Sequence, residues 1–175
     1  MKLFFILGNQ LFPPKYLDRF KNDHLFFMSE DYELCTYEKH HKLKILLFLS
    51  AMRSHADNLK KNKFKIEYTK IDSGDFKKDY LEKIKKIIKS KKIKEINSFE
   101  IEDKFFEKKV QNFVKKNDLI WHQIKSPMFL NTREEFFDRW QILYYSLREV
   151  ILLVYLAFKQ VNQVLPLTNL ICMWV

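Results

Sequence analysis

Tyr37, His40 and His41 open a long stretch with helical apolar spacing, directly after a polar loop that holds Glu30, Asp31 and Glu33. A phenol, two imidazoles and three carboxylates gathered at one helix end can hold a small molecule through hydrogen bonds. They do not form a recognisable catalytic set. The 5 histidines show no HExxH pattern, and the adjacent His40 and His41 point to different faces of a helix, so no metal site is read from them. No GxSxG, P-loop or GxGxxG motif occurs, and 2 glycines in the whole chain cannot build a phosphate cradle. Ser50, Ser54 and Ser126 have no base at a diagnostic spacing. Cys35, beside the helix start, is either a thiol of lowered pKa or an inert, half-buried one, and the inert thiol is the simpler reading.

The element that must position these groups is the stretch itself. Ile45, Phe48, Leu49, Met52, Ala56 and Leu59 recur three or four apart, the period of a helix with one buried face. Leu46 and Leu47 widen that stripe, so the helix, from about Lys39 to Lys61, is expected to be covered on most sides. On residue types alone, a core helix with a solvated first turn explains the stretch as well as a pocket wall does.

Around it, short apolar runs alternate with amphipathic segments. Strands are expected at Lys2–Leu7, His24–Met28, Lys65–Ile71, Ile93–Phe99 and Leu119–Ile124. A short helix fits Lys15–Lys21. Longer ones fit the segment carrying Phe76, Tyr80, Ile84, Ile87 and Ile88, and Asp103–Lys116. Thr132 and Glu135 have the spacing of a capping box, which starts a helix near Arg133. This alternation calls for an α/β fold: a doubly wound, Rossmann-like sheet of five parallel strands with helices on both faces, followed by a C-terminal helical tail. Gly8-Asn9-Gln10, closing the first strand, lies where open α/β sheets bind ligands.

Composition bounds the rest. A 175-residue chain with 17 Phe can bury one ordinary core. The net charge of +10 suits an anionic partner, nucleic acid or a phosphorylated ligand, but lysine-biased composition produces the same balance. Between Phe76 and Lys116, 14 Lys stand against 7 Asp plus Glu with no arginine, which reads as a wetted face with nonspecific phosphate attraction. Cys35 and Cys172 form no CxxC and no disulfide framework, so a reducing cytoplasm is the default location. The apolar start, Leu3 to Leu7, is too short for a signal peptide, and the run Val150 to Phe158 is too short to span a membrane. After Trp140 the charge pattern changes: of the chain's 54 charged residues, only Arg148, Glu149 and Lys159 follow.

The string CTYEKHHKLKILLFLSAMR resembles the first long helix of the prokaryotic iron–sulfur photolyase/cryptochrome family, the photolyase-related proteins that include bacterial six-four photolyases. The residues in register are Tyr37, His40, His41, Lys42, Lys44 and Ser50-Ala51-Met52-Arg53. Further landmarks are Ile6-Leu7-Gly8-Asn9-Gln10-Leu11, the strand ending near Asp72, and the Met-Phe-Leu…Arg-Glu-Glu-Phe segment of 128–136. The resemblance covers roughly residues 1–140 and implies the family's α/β antenna domain, which holds a light-harvesting lumazine near the ends of strands one and two. Carried over by position, Gly8, Asn9, Gln10, Glu30, Tyr37, His41 and Phe48 are the expected pocket residues. Asn9 stands where the family usually has Asp, and Leu34 where an acid is often found, with Glu33 next to it.

The family repairs DNA photoproducts by light-driven electron transfer from reduced FAD, in a helical domain that also carries a [4Fe-4S] cluster on four cysteines. Two cysteines cannot ligate that cluster. The resemblance therefore implies an antenna domain at 1–140, with 141–175 as a truncated or frame-shifted start of the FAD domain and no repair activity alone. The implied ligand is 6,7-dimethyl-8-ribityllumazine. DNA is a partner of full-length members, no membrane is implied, and oligomeric state is left open. Two other readings stand beside it: a free-standing nucleotide-like ligand module, and a basic nucleic-acid-associated protein.

Overall fold

A computed structural model describes residues 1–36, 39–129 and 132–164. The chain divides into two compact units, Met1–Met128 and Phe129–Val175. All five strands lie in the first: β1 (Lys2–Phe5), β2 (His24–Ser29), β3 (Ile66–Thr69), β4 (Glu95–Phe99) and β5 (Ile120–Ile124). Every pairing is parallel and the order is β3-β2-β1-β4-β5, so the winding direction reverses at β1. The expected five-stranded, doubly wound α/β sheet is what the chain forms.

Pleating explains why β1 and β2 are apolar throughout. Leu3, Phe5, Leu25 and Phe27 face one layer, where Tyr80, Ile84, Ile87 and Ile88 of α3 (Tyr80–Lys91) and Val110 of α4 (Lys104–Lys116) cover them. Phe4, Ile6, Phe26 and Met28 face the other, against Leu17 and against Met52, Ala56 and Leu59 of α2 (Lys42–Lys61). Each such side chain, fully buried, contributes about 1.5–3 kcal/mol. Phe4 sits in an aromatic cluster, 5.5 Å from Phe26, 5.3 Å from Phe99 and 5.1 Å from Phe20 between ring centroids.

Three differences from the sequence reading have physical causes. Lys15–Lys21 is two 3-10 turns, Pro14–Tyr16 and Asp18–Phe20; the first starts at Pro14 with Pro13 before it, and neither has a side-chain cap. A short helix, α1 (Tyr32–Thr36), replaces the expected polar loop after β2. And α2 is not covered on most sides: it buries only Met52, His55, Ala56 and Leu59, while Leu43, Leu46 and Leu47 are more than half exposed. A periodic pattern gives a helix its apolar width but not the elements that would cover it.

With so few glycines, helix ends adopt left-handed backbone on other residues. Lys63, Lys92 and Asp118 have φ of 59°, 52° and 52°, each just past the end of α2, α3 or α4. The second unit contains α5 (Arg133–Val164). It opens with the expected reciprocal capping box: the Glu135 amide donates to Thr132 Oγ1 (3.0 Å) and the Thr132 amide to Glu135 Oε2 (2.8 Å). The composition change after Trp140 falls inside this helix, not at its end. No helix among the described residues is long and apolar enough to cross a membrane.

Candidate functional site

β1 has β2 and β4 as its neighbours, and the winding reverses here, the place where open α/β sheets form a crevice at the carboxyl ends of their strands. A cavity of about 280 Å³ lies there. Its floor is Leu7, Gly8 and Asn9 after β1, Ser29 and Asp31 at the end of β2, and Ile101, Glu102 and Asp103 after β4. One wall is α2, through Lys44, Ile45, Phe48, Leu49 and Met52; Phe106 of α4, Cys35 of α1 and His40 complete the lining. Rings and aliphatic chains thus dominate, with a few polar groups, the usual make-up of a small-molecule site.

Three expected residues, Gly8, Asn9 and Phe48, line this cavity. Gly8 does not need unusual backbone angles. It is required for room: a Cβ there would stand 2.8 Å from Phe48 Cε1 and 3.0 Å from Met52 Sδ. What approaches the Gly8 backbone is therefore α2. Asn9 Nδ2 donates to Glu102 Oε2 at 3.1 Å, tying the first strand's turn to the fourth's.

The other expected residues are placed elsewhere. Gln10 is buried beneath the turn, where Nε2 donates to the Glu100 carbonyl at 2.6 Å. Its job is to hold the β1 and β4 loops together. Glu30 is fully buried, and both carboxylate oxygens are taken. Arg53 donates from Nε to Oε1 (2.6 Å) and from Nη2 to Oε2 (3.0 Å), Tyr68 from its hydroxyl to Oε1 (2.7 Å), and the Ile71 amide to Oε2 (2.7 Å). Burial alone would raise the Glu30 pKa. The donors from Arg53, Tyr68 and Ile71 outweigh it and hold the carboxyl below the usual glutamate range. Glu30 is a structural clamp of β2, β3 and α2, not a cavity residue. His41 is exposed and caps α2, its Nδ1 accepting from the Leu43 amide at 3.2 Å; the neighbour that lines the cavity is His40. Tyr37 lies outside the described residues.

Asp31, one of the three carboxylates read beside the helix start but not among the residues carried over by position, is a buried polar group of the lining. It is 5% exposed, and Lys83, 4% exposed, reaches from α3 to within 3.9 Å of its Oδ1. Lys83 Nζ also donates to the carbonyls of Glu30 (3.2 Å) and Phe76 (3.1 Å). Burial pushes the Asp31 pKa up, against the pull of Lys83, and pushes Lys83 down, against Asp31, Asp75 and Asp79. Cys35, half-buried, lines the cavity; burial, then the charges of Asp31 and Glu30, raise its pKa, the direction opposite to that of an activated thiol. Lys44 Nζ lies 3.5 Å from His40 Nδ1. No group of three or more His, Cys, Asp or Glu side chains among the described residues is placed to hold a metal ion.

One signal for the missed wall was present in the sequence. Glu100-Ile101-Glu102-Asp103 carries an N-cap aspartate immediately after a strand, which puts it at the sheet's carboxyl edge. Placing it beside Gly8 required knowing that β4 pairs with β1.

The fold is a doubly wound parallel α/β domain with a mostly apolar cavity at its switch point. Residues 4–142 match the family described as deoxyribodipyrimidine photo-lyase-related protein, and the chain belongs to that family. No curated protein matches the sequence.

Proposed function

We propose that the unit Met1–Met128 is an antenna domain, binding a lumazine-type heterocycle in the cavity between the β1, β2 and β4 ends. When bound, such a chromophore supplies absorption of near-ultraviolet and blue light for the family's flavin-dependent photochemistry. The observation that carries the reading is the arrangement of the lining. Phe48, Leu49, Met52 and Phe106 offer apolar surface to a ring system. Asn9, Asp31 and Glu102 offer acceptors for ring N–H or side-chain hydroxyl groups. Membership of the photolyase-related family supports it independently.

Titrating the full chain with 6,7-dimethyl-8-ribityllumazine tests it. Lumazine fluorescence should change saturably, and Phe48→Asp should abolish the change by placing a charge on the apolar wall. Adenine nucleotides and duplex DNA, run in parallel, should not compete. Unaltered lumazine fluorescence would reject the reading; binding of DNA alone, with a steep salt dependence, would favour a basic nucleic-acid-associated protein instead.

A further inference from the structure

We propose that this cavity selects against phosphorylated ligands, and that the buried Asp31 is the residue that enforces the selection. The inference rests on the reading that the cavity takes a heterocycle, and it specifies which kind: an uncharged one whose polar groups donate hydrogen bonds.

The location makes this unexpected. Crevices at the switch points of doubly wound sheets commonly take phosphate on a helix N-terminus or a glycine turn. In this chain each of those devices is closed. The amides at the start of α4 are occupied by the helix's own N-cap, Asp103 Oδ1, which accepts from Phe105 at 2.8 Å and Phe106 at 3.3 Å. The start of α2 is capped by His41. The turn after β1 has no left-handed glycine to aim amides inward, and the space over Gly8 holds Phe48 and Met52.

Charge points the same way. In a chain of net charge +10, this cavity is lined by three carboxylates, Asp31, Glu102 and Asp103. Asp31 is the buried one. Its Oδ1 accepts from the Glu33 amide at 3.2 Å, one bond for a carboxylate that has about four lone-pair sites. That leaves an acceptor for a ligand N–H or O–H. The buried cation, Lys83, does not line the cavity; its ammonium is directed at the Glu30 and Phe76 carbonyls behind Asp31. The lining cation is the exposed Lys44, beside His40. An anion entering the interior meets Asp31 at short range in a medium of reduced dielectric, where one repulsion costs a factor of about ten or more in affinity.

The test uses two matched pairs on the full chain: 6,7-dimethyl-8-ribityllumazine against its 5′-phosphate, and riboflavin against flavin mononucleotide. The unphosphorylated member of a pair should bind at least about tenfold more tightly. Asp31→Asn keeps the side-chain size and one acceptor while leaving Lys83 without its counter-charge, so it should narrow or invert that ratio, a gain that a merely structural residue would not give. Circular dichroism establishes that the variant is folded; if it is not, Glu102→Gln is the second variant, expected to narrow the ratio in the same direction. Phosphate esters binding as tightly as their parents would overturn the proposal. An unchanged ratio in the folded Asp31→Asn protein would overturn the role of Asp31. Riboflavin binding with the mononucleotide rejected, but no lumazine binding, would support this inference while rejecting the antenna reading. Failure of all four compounds would overturn both.

Discussion

Gly8 and Phe48 are in such close contact that a single methyl group on Gly8 would lie 2.8 Å from Phe48 Cε1. The glycine in the turn after β1 therefore sets how near α2 can come to the sheet, and with it the depth of the cavity. Gly8→Ala must move something. The Phe48 ring is the softest neighbour, being 43% exposed, and one route open to it leads into the cavity it lines. The expected outcome is a weakening of lumazine affinity by about tenfold with only about 1 kcal/mol lost in stability, since overpacking is costly mainly where nothing can yield. Fluorescence titration and thermal melting check the two halves separately. Undiminished affinity would mean that the ring swings outward.

Glu30 gives a prediction about stability and pH. Its buried carboxylate joins β2 to Arg53 of α2, to Tyr68 of β3 and to the Ile71 amide. Glu30→Gln replaces an acceptor by an amide that faces donors, so it should cost about 2–3 kcal/mol, a value held down because Arg53 is 45% exposed. The Glu30 pKa is lowered in the fold. Its contribution is then fully present above the ordinary glutamate pKa and is lost as pH falls through the lower, folded value. Asp31, raised by burial, acts in the opposite sense over the carboxylate range. Urea unfolding at a series of acidic pH values should show the wild-type stability falling with acid and the Glu30→Gln protein falling less steeply, because Asp75 and Glu95, held low by neighbouring lysines, still titrate.

Much of the fold was legible because β1 and β2 are apolar on both faces and the helices carry the period of one buried face. Met52, Ala56 and Leu59 are buried as their spacing requires. What was not legible depends on partners distant in sequence. Lys83 sits in a lysine-rich run and looks like its solvated neighbours; only the fold brings it to Asp31. Glu30 looked like a ligand contact because an acid next to a helix start can face either way, and three donors from two strands' surroundings and a helix decided it. Leu46 and Leu47 widened the apolar stripe, yet nothing among the described residues buries them. Gly8 and Asn9 were readable as cavity residues from their position after the first strand, while Phe48 came from the family resemblance, its spacing alone reading as a buried helix face. The acidic wall from β4 was not, since hydrophobic periodicity does not specify strand order.

Lys92 ends α3 at φ 52° and ψ 43°, left-handed backbone carried by a side chain with a Cβ. Relieving that conformation with Lys92→Gly gains about 1–2 kcal/mol. The greater freedom of glycine in the unfolded chain takes back about 0.5–1 kcal/mol. The balance favours the substitution by about 0.5 kcal/mol or slightly more, so Lys92→Gly should raise the melting temperature while leaving ligand affinity unchanged, because α3 ends far along the chain from Asp31. A lower melting temperature would show that Lys92 contributes a contact beyond its backbone.

The polypeptide 1–128 should fold without the rest of the chain. Both cores are complete within it: every residue of the two buried clusters lies between Leu3 and Val110, and the sheet closes with β5 at Ile124. Among the described residues, those that line the cavity run from Leu7 to Phe106. By contrast, the helix beyond it, α5, exposes Phe136, Phe137, Trp140, Ile142 and Leu143, side chains that promote association when left uncovered. Removing residues 129–175 should therefore preserve a single cooperative urea transition and the lumazine affinity of the full chain to within about twofold, a difference of about 0.4 kcal/mol, while reducing aggregation measured by light scattering. A non-cooperative transition in the 1–128 protein would show that the first unit depends on the second for its stability, and retained cooperativity with lost binding would place part of the ligand site beyond Met128.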